Sequence, residues 1–116
     1  MKTVLIEVAT QAEVQARLLA SLASGKPEKY AHISFDTAEA MARTLTPLRW
    51  AMLETMTGAG ALGVRELARR LGRDAKAVHT DLTALTMAGV IDRSEAGKYE
   101  FPFDRVKVQF ELHKAA

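Results

Sequence analysis

The cationic residues of this chain gather in its middle. From Arg43 to Thr80 there are seven basic residues (Arg43, Arg49, Arg65, Arg69, Arg70, Arg73, Lys76) against three acidic ones (Glu54, Glu66, Asp74), a surplus of four in a chain whose formal net charge is only +2. A basic centre between mildly acidic ends suits a local phosphate-facing patch better than a general polycation. Arg65, Arg69, Arg70 and Arg73 have the chemistry to clamp phosphates, which sets affinity and salt dependence without reading sequence. Lys76, His79, Thr80 and Thr83 follow at helical spacing. An ammonium group can donate to guanine N7 or O6, and a threonine can bond a base or offer its methyl to thymine. The small Ala75 and Ala77 beside them would permit close approach.

Two short helices around a tight turn must hold these groups. Val64, Leu67, Ala68 and Leu71 repeat at i, i+3, i+4 and i+7 and form one apolar stripe, leaving Arg65, Arg69 and Arg70 toward water. Gly72 offers the positive φ that stops this helix, and Asp74 is placed to cap the next. In the second helix Val78, Leu82 and Leu85 share a side, and Lys76, Thr80, Thr83 and Met87 fall opposite, with His79 and Ala77 on the flanks. Gly89 closes it.

Upstream, Pro47 at a first helical position starts a support helix to about Thr57, with Leu48, Met52 and Met56 as its expected buried face. Arg49 falls within that stripe, and Asp81 lies on the buried side of the second helix beside Val78 and Leu85. Unpaired charges there are costly, so the two are expected to pair in a structural role. Trp50 points away from the stripe and is expected to pack beneath the N-terminal segment.

The remainder reads as α+β, mainly α. Thr3 to Ala9 is a β-branched strand. Thr10 with Glu13 forms a capping box before a helix whose Val14, Leu18 and Leu22 need covering and which ends at Gly25. Tyr30 to Phe35 reads as a second strand, and Asp36 with Glu39 as a cap for a helix over 37–45. Val90 to Arg93 and Lys98 to Phe101 flank a Ser-Glu-Ala-Gly tip as a hairpin, from which Arg93 and Lys98 could grip an adjacent groove. Val106, Val108, Phe110 and Leu112 alternate with polar residues as a final strand with one buried face. The expected organisation is an arm over 1–35, a central unit over 36–103 and a C-terminal strand over 104–116.

A helix followed by helix, turn, helix and hairpin over about 46–103 resembles the winged helix-turn-helix transcription regulators. The segments Leu45 to Arg49 (LTPLR), Arg65 to Asp74 (RELARRLGRD), Val78 to Leu82 (VHTDL), Gly89 to Ile91 (GVI) and Phe101 to Asp104 (FPFD) are similar to a prokaryotic group of predicted regulators. Members of that group are often antitoxins of toxin-antitoxin modules. The resemblance implies sequence-specific binding to double-stranded DNA at the module's own promoter and neutralisation of a toxin protein. A two-fold homodimer built from the terminal segments would present two reading helices roughly 34 Å apart to a palindromic operator.

Other classes find less support. The chain has no cysteine, which excludes disulfides, thiol catalysis and cysteine zinc sites. His32, His79 and His113 are scattered without metal-ligand spacing, and no Gly-rich phosphate loop occurs, so no enzyme, cofactor or metal is expected. Neither a membrane span nor a signal peptide is legible, and a cytoplasmic protein is expected. The rival reading is a winged-helix module that binds protein rather than DNA, because a fold does not dictate function.

Overall fold

The chain runs β1 (Thr3–Val8), α1 (Gln11–Ser24), β2 (Ala31–Phe35), α2 (Ala38–Thr44), α3 (Pro47–Met56), α4 (Val64–Leu71), α5 (Ala75–Met87), β3 (Asp92–Arg93), β4 (Tyr99–Glu100) and β5 (Arg105–Gln109). These elements come from a computed structural model that describes residues 1–112. His113 and the last positions expected of the C-terminal strand lie outside the described residues. Among the described residues the architecture is α+β, with five helices, a three-stranded sheet of order β2-β1-β5 and a two-stranded β3-β4 hairpin.

Local chemistry starts the helices. Thr10, Thr37, Thr46 and Asp74 each adopt extended backbone and accept, through the side chain, the N–H three residues on, at Glu13, Ala40, Arg49 and Ala77. The cap of α2 is therefore Thr37 rather than Asp36, which moves Glu39 out of the reciprocal position and into an i,i+4 pair with Arg43. The turn between α4 and α5 depends on Gly72, whose φ is 64°. Nothing lies within 4 Å of where a Cβ would stand, so Gly72→Ala meets only backbone strain. An expected loss of about 1 kcal/mol, read as a melting temperature lower by roughly 5 °C, checks this point.

Both sheet pairings of β1 are parallel, which requires long crossovers. α1 makes the first, and the helical body from α2 to the hairpin makes the second. Val4 and Ile6 point from β1 into that body and are fully buried. They belong to one hydrophobic cluster with Phe35, Met41, Met52, Met56, Leu67, Leu82, Leu85 and Phe101, so the expected arm and central unit share a core. Trp50 is half-buried against the same cluster.

Three apolar faces differ from expectation. In α3 the inward stripe is Arg49, Met52, Leu53 and Met56, which leaves Leu48 57% exposed. In α1 the side toward the sheet is Val14, Arg17 and Ser21, while Leu18 and Leu22 are 56% and 71% exposed. The cause is Glu7 on the opposing face of β1: a carboxylate at 8% exposure demands a cation, and Arg17 takes the inward place. In β5, regular pairing ends at Gln109, and Val108 and Phe110 remain about half exposed, because among the described residues only β1 flanks this strand. No helix among the described residues is long and apolar enough to cross a membrane.

Candidate functional site

α5 is seated by Val78, Leu82 and Leu85, all fully buried, and its orientation is set by Asp81 on the flank of that stripe. Arg49 Nε of α3 donates to Asp81 Oδ1 at 3.1 Å, and Arg73 Nη2 of the α4–α5 turn donates to Oδ2 at 2.8 Å. Arg49 Nη1 also donates to the Thr44 carbonyl at 3.0 Å. All three charged side chains are about four-fifths buried. One carboxylate thus ties together the support helix, the turn and α5. Arg73, expected among the phosphate contacts, is turned inward as the second partner of Asp81. Its Nη1 is buried and makes no hydrogen bond among the described residues.

The opposite side of α5 is open. Lys76, Ala77, His79, Thr80, Thr83 and Met87 are all exposed, the polar ones lying between Lys76 and Thr83. Thr80 Oγ1 donates to the Lys76 carbonyl at 3.1 Å, and the exposed side chain keeps acceptor lone pairs and a methyl group for other contacts. Lys76 and Arg65 are exposed and form no ion pair among the described residues.

Arg69 and Arg70 are also exposed, but both engage Glu66 on their own helix, Arg70 Nε at 3.1 Å from Oε1 and Arg69 on the other oxygen. Exposed pairs of this kind contribute only about 0–1 kcal/mol, so a phosphate could replace Glu66 as their partner at little cost. This intrahelical competition was not read from the sequence, although Glu66 stands at i−3 and i−4 to the two arginines.

The β3-β4 hairpin is anchored next to α4. Leu62, in the loop before α4, exchanges two 2.8 Å main-chain hydrogen bonds with Tyr99, and Tyr99 and Phe101 are buried. The tip closes with Ser94 N–H donating to the Lys98 carbonyl at 2.8 Å. Arg93 and Lys98 are exposed on it, with the Arg93 guanidinium 5.9 Å from the Tyr99 ring centre.

A second polar cluster, not anticipated, lies between α1 and the sheet. Glu7 accepts from Arg17 Nη1 and Nη2 at 2.6 and 3.0 Å and from Ser34 Oγ at 3.0 Å, with His32 Nδ1 at 2.7 Å. Burial pushes the Glu7 carboxyl up, but the hydrogen bonds from Arg17, His32 and Ser34 outweigh it and hold the group below its ordinary value. The signal in the sequence was a lone acid inside a β-branched run covered on both faces, which needs a cationic partner elsewhere in the chain. Among the described residues, no three His, Asp or Glu side chains are placed to hold a metal ion.

Residues 44–108, more than half of the chain, match the model of the HVO_A0114 family. The chain belongs to the HVO_A0114 family. The matched segment of this HVO_A0114 member starts at the end of α2 and contains α3, α4, α5, the hairpin and most of β5. The Arg49–Asp81–Arg73 cluster and the open side of α5 therefore fall within the HVO_A0114 match, whereas Glu7, Arg17 and His32 fall outside it. No curated protein and no solved structure matches the chain.

Proposed function

We propose that the chain is a winged helix-turn-helix regulator that binds double-stranded DNA in a sequence-specific manner, with α5 as its reading helix and the β3-β4 hairpin as its wing. The observation that carries this reading is the solvent-open side of α5 from Lys76 to Thr83, presenting Lys76, His79, Thr80 and Thr83, on a helix braced from behind by Asp81 and two arginines. In helix-turn-helix docking these N-terminal positions meet base edges. Arg65, Arg69 and Arg70 then supply phosphate contacts, and Arg93 and Lys98 extend them along the duplex. The similarity noted in the sequence adds an autoregulating, antitoxin-like role, with a cognate toxin as protein partner and a homodimer on a palindromic operator. Co-expression with the adjacent reading frame tests that part.

Fluorescence anisotropy with duplex DNA from upstream of the protein's own coding region, across a salt series, tests the DNA reading. Affinity is expected to fall linearly in log–log form, and Arg65→Ala to lower the slope by about 1 while weakening all sequences alike. Lys76→Ala is expected to relax sequence preference as well, at a cost of about 1–3 kcal/mol toward the preferred site. Negligible binding at every salt concentration favours the second reading, a protein-binding module. That reading is supported by Leu18, Leu19 and Leu22, all more than half exposed along α1.

A further inference from the structure

We propose that β5 is the assembly edge of this protein: two copies pair β5 with β5 in antiparallel fashion about a two-fold axis through Gln109, joining their sheets into one. This gives the homodimer of the functional reading a specific interface, and its test reads assembly alone, so its failure and the failure of DNA binding are separable.

The open edge follows from the sheet order β2-β1-β5, in which, among the described residues, β5 has β1 on one side only. Thr3 is the register partner of Arg105, and Arg105 N–H donates to the Lys2 carbonyl at 3.2 Å. Arg105, Lys107 and Gln109 therefore direct their main-chain groups toward β1, and Val106 and Val108 direct theirs outward, as Phe110 does if the strand is extended by a partner. Such an edge is usually defended by proline, a bulge or an outward lysine. Residues 105–112 contain neither proline nor glycine. The one lysine lies over the sheet in the single chain, with Lys107 Nζ donating to Tyr30 Oη at 3.1 Å and 4.9 Å from its ring centre, and it leaves Tyr30 to meet a second copy. Beside the edge, Val108, Phe110 and Leu112 are 47%, 48% and 83% exposed.

The geometry then restricts the register. Outward main-chain groups must meet outward groups, so Val106, Val108, Phe110 and Leu112 pair only among themselves. An axis through Lys107 sets lysine against lysine, which is unfavourable. An axis through Val108 leaves Leu112 without a partner on the other strand, and one through Phe110 leaves Val106 and Lys107 without a partner among the described residues. The axis through Gln109 sets Val108 against Phe110, Val106 against Leu112 and Lys107 against Glu111 of the second copy, each pair occurring twice. A strand of alternating apolar and polar residues that complements its own reverse fits a second copy of itself as its occupant.

Charge exchange in the full chain, followed by light scattering at about 50 µM, tests the register. The natural chain is expected to be dimeric. Lys107→Glu and Glu111→Lys are each expected to weaken the dimer about tenfold, and the double variant to restore it. Because the chain lacks cysteine, Gln109→Cys places two thiols face to face in a non-hydrogen-bonded pair, where mild oxidation should yield a covalent dimer. A monomeric natural chain overturns the proposal. So does a double variant as weak as the single ones, or cross-linking through Leu19→Cys on α1 in place of Gln109→Cys.

Discussion

Asp81→Ala is expected to destabilise the protein by about 3–5 kcal/mol, because it leaves two guanidinium groups in a largely buried site without their counter-charge. Arg49 and Arg73 reach different oxygens of this one carboxylate, and all three side chains are about four-fifths buried. Arg73 already has one nitrogen without a partner among the described residues, so none of them offers a spare acceptor to replace Asp81. For a chain of this length the loss corresponds to a melting temperature lower by more than roughly 10 °C. Asp81→Asn keeps the shape and one acceptor oxygen, and is expected to fall between. A melt of Asp81→Ala within a degree or two of the natural protein contradicts the bracing role given to this cluster.

The second large effect concerns Arg17. Arg17→Met keeps the length of the side chain but removes two of the donors to Glu7, leaving His32 and Ser34, and is expected to cost about 2–3 kcal/mol. Its signature is in the pH dependence. In the natural protein Glu7 titrates below its ordinary value of 4.5. Its contribution to stability is thus complete above about pH 4.5 and is lost as pH falls through the lowered value. Without Arg17 the burial of Glu7 is opposed by fewer hydrogen bonds, and its carboxyl moves up. Acid should then cost the variant less stability than it costs the natural chain, so the two unfolding curves, measured by urea titration from pH 7 to pH 3, are expected to converge. Parallel curves over that range would show that Glu7 and Arg17 are not coupled.

What the sequence made legible was the local part. The α4–α5 turn follows from Gly72 and Asp74, each acting within four residues, and the stripe of Val78, Leu82 and Leu85 seats α5 as periodicity requires. The pairing of Arg49 with Asp81 could be reached because two charges on apolar faces need each other. What escaped was settled by distant segments. Nothing near Leu18 says that α1 turns Arg17 inward, because the cause is Glu7 on a strand ten residues away and His32 on another. The parallel union of β1 with β5 joins residues about a hundred positions apart, and alternation alone reveals a strand without its neighbour. Arg73 looked like a surface cation since its turn gives no periodic face, and only the folded position of Asp81 draws it in.

The proposed function requires the exposed side of α5 from Lys76 to Thr83 to meet a DNA groove. Backbone NMR of the labelled protein, titrated with duplex from upstream of its own coding region, tests that most directly. The predicted result is that shifts concentrate at Lys76, His79, Thr80 and Thr83, with weaker ones at Arg65 and on the hairpin at Arg93 and Lys98. Shifts confined to α1 or β5 with α5 unmoved, or none at all at low salt, would contradict it.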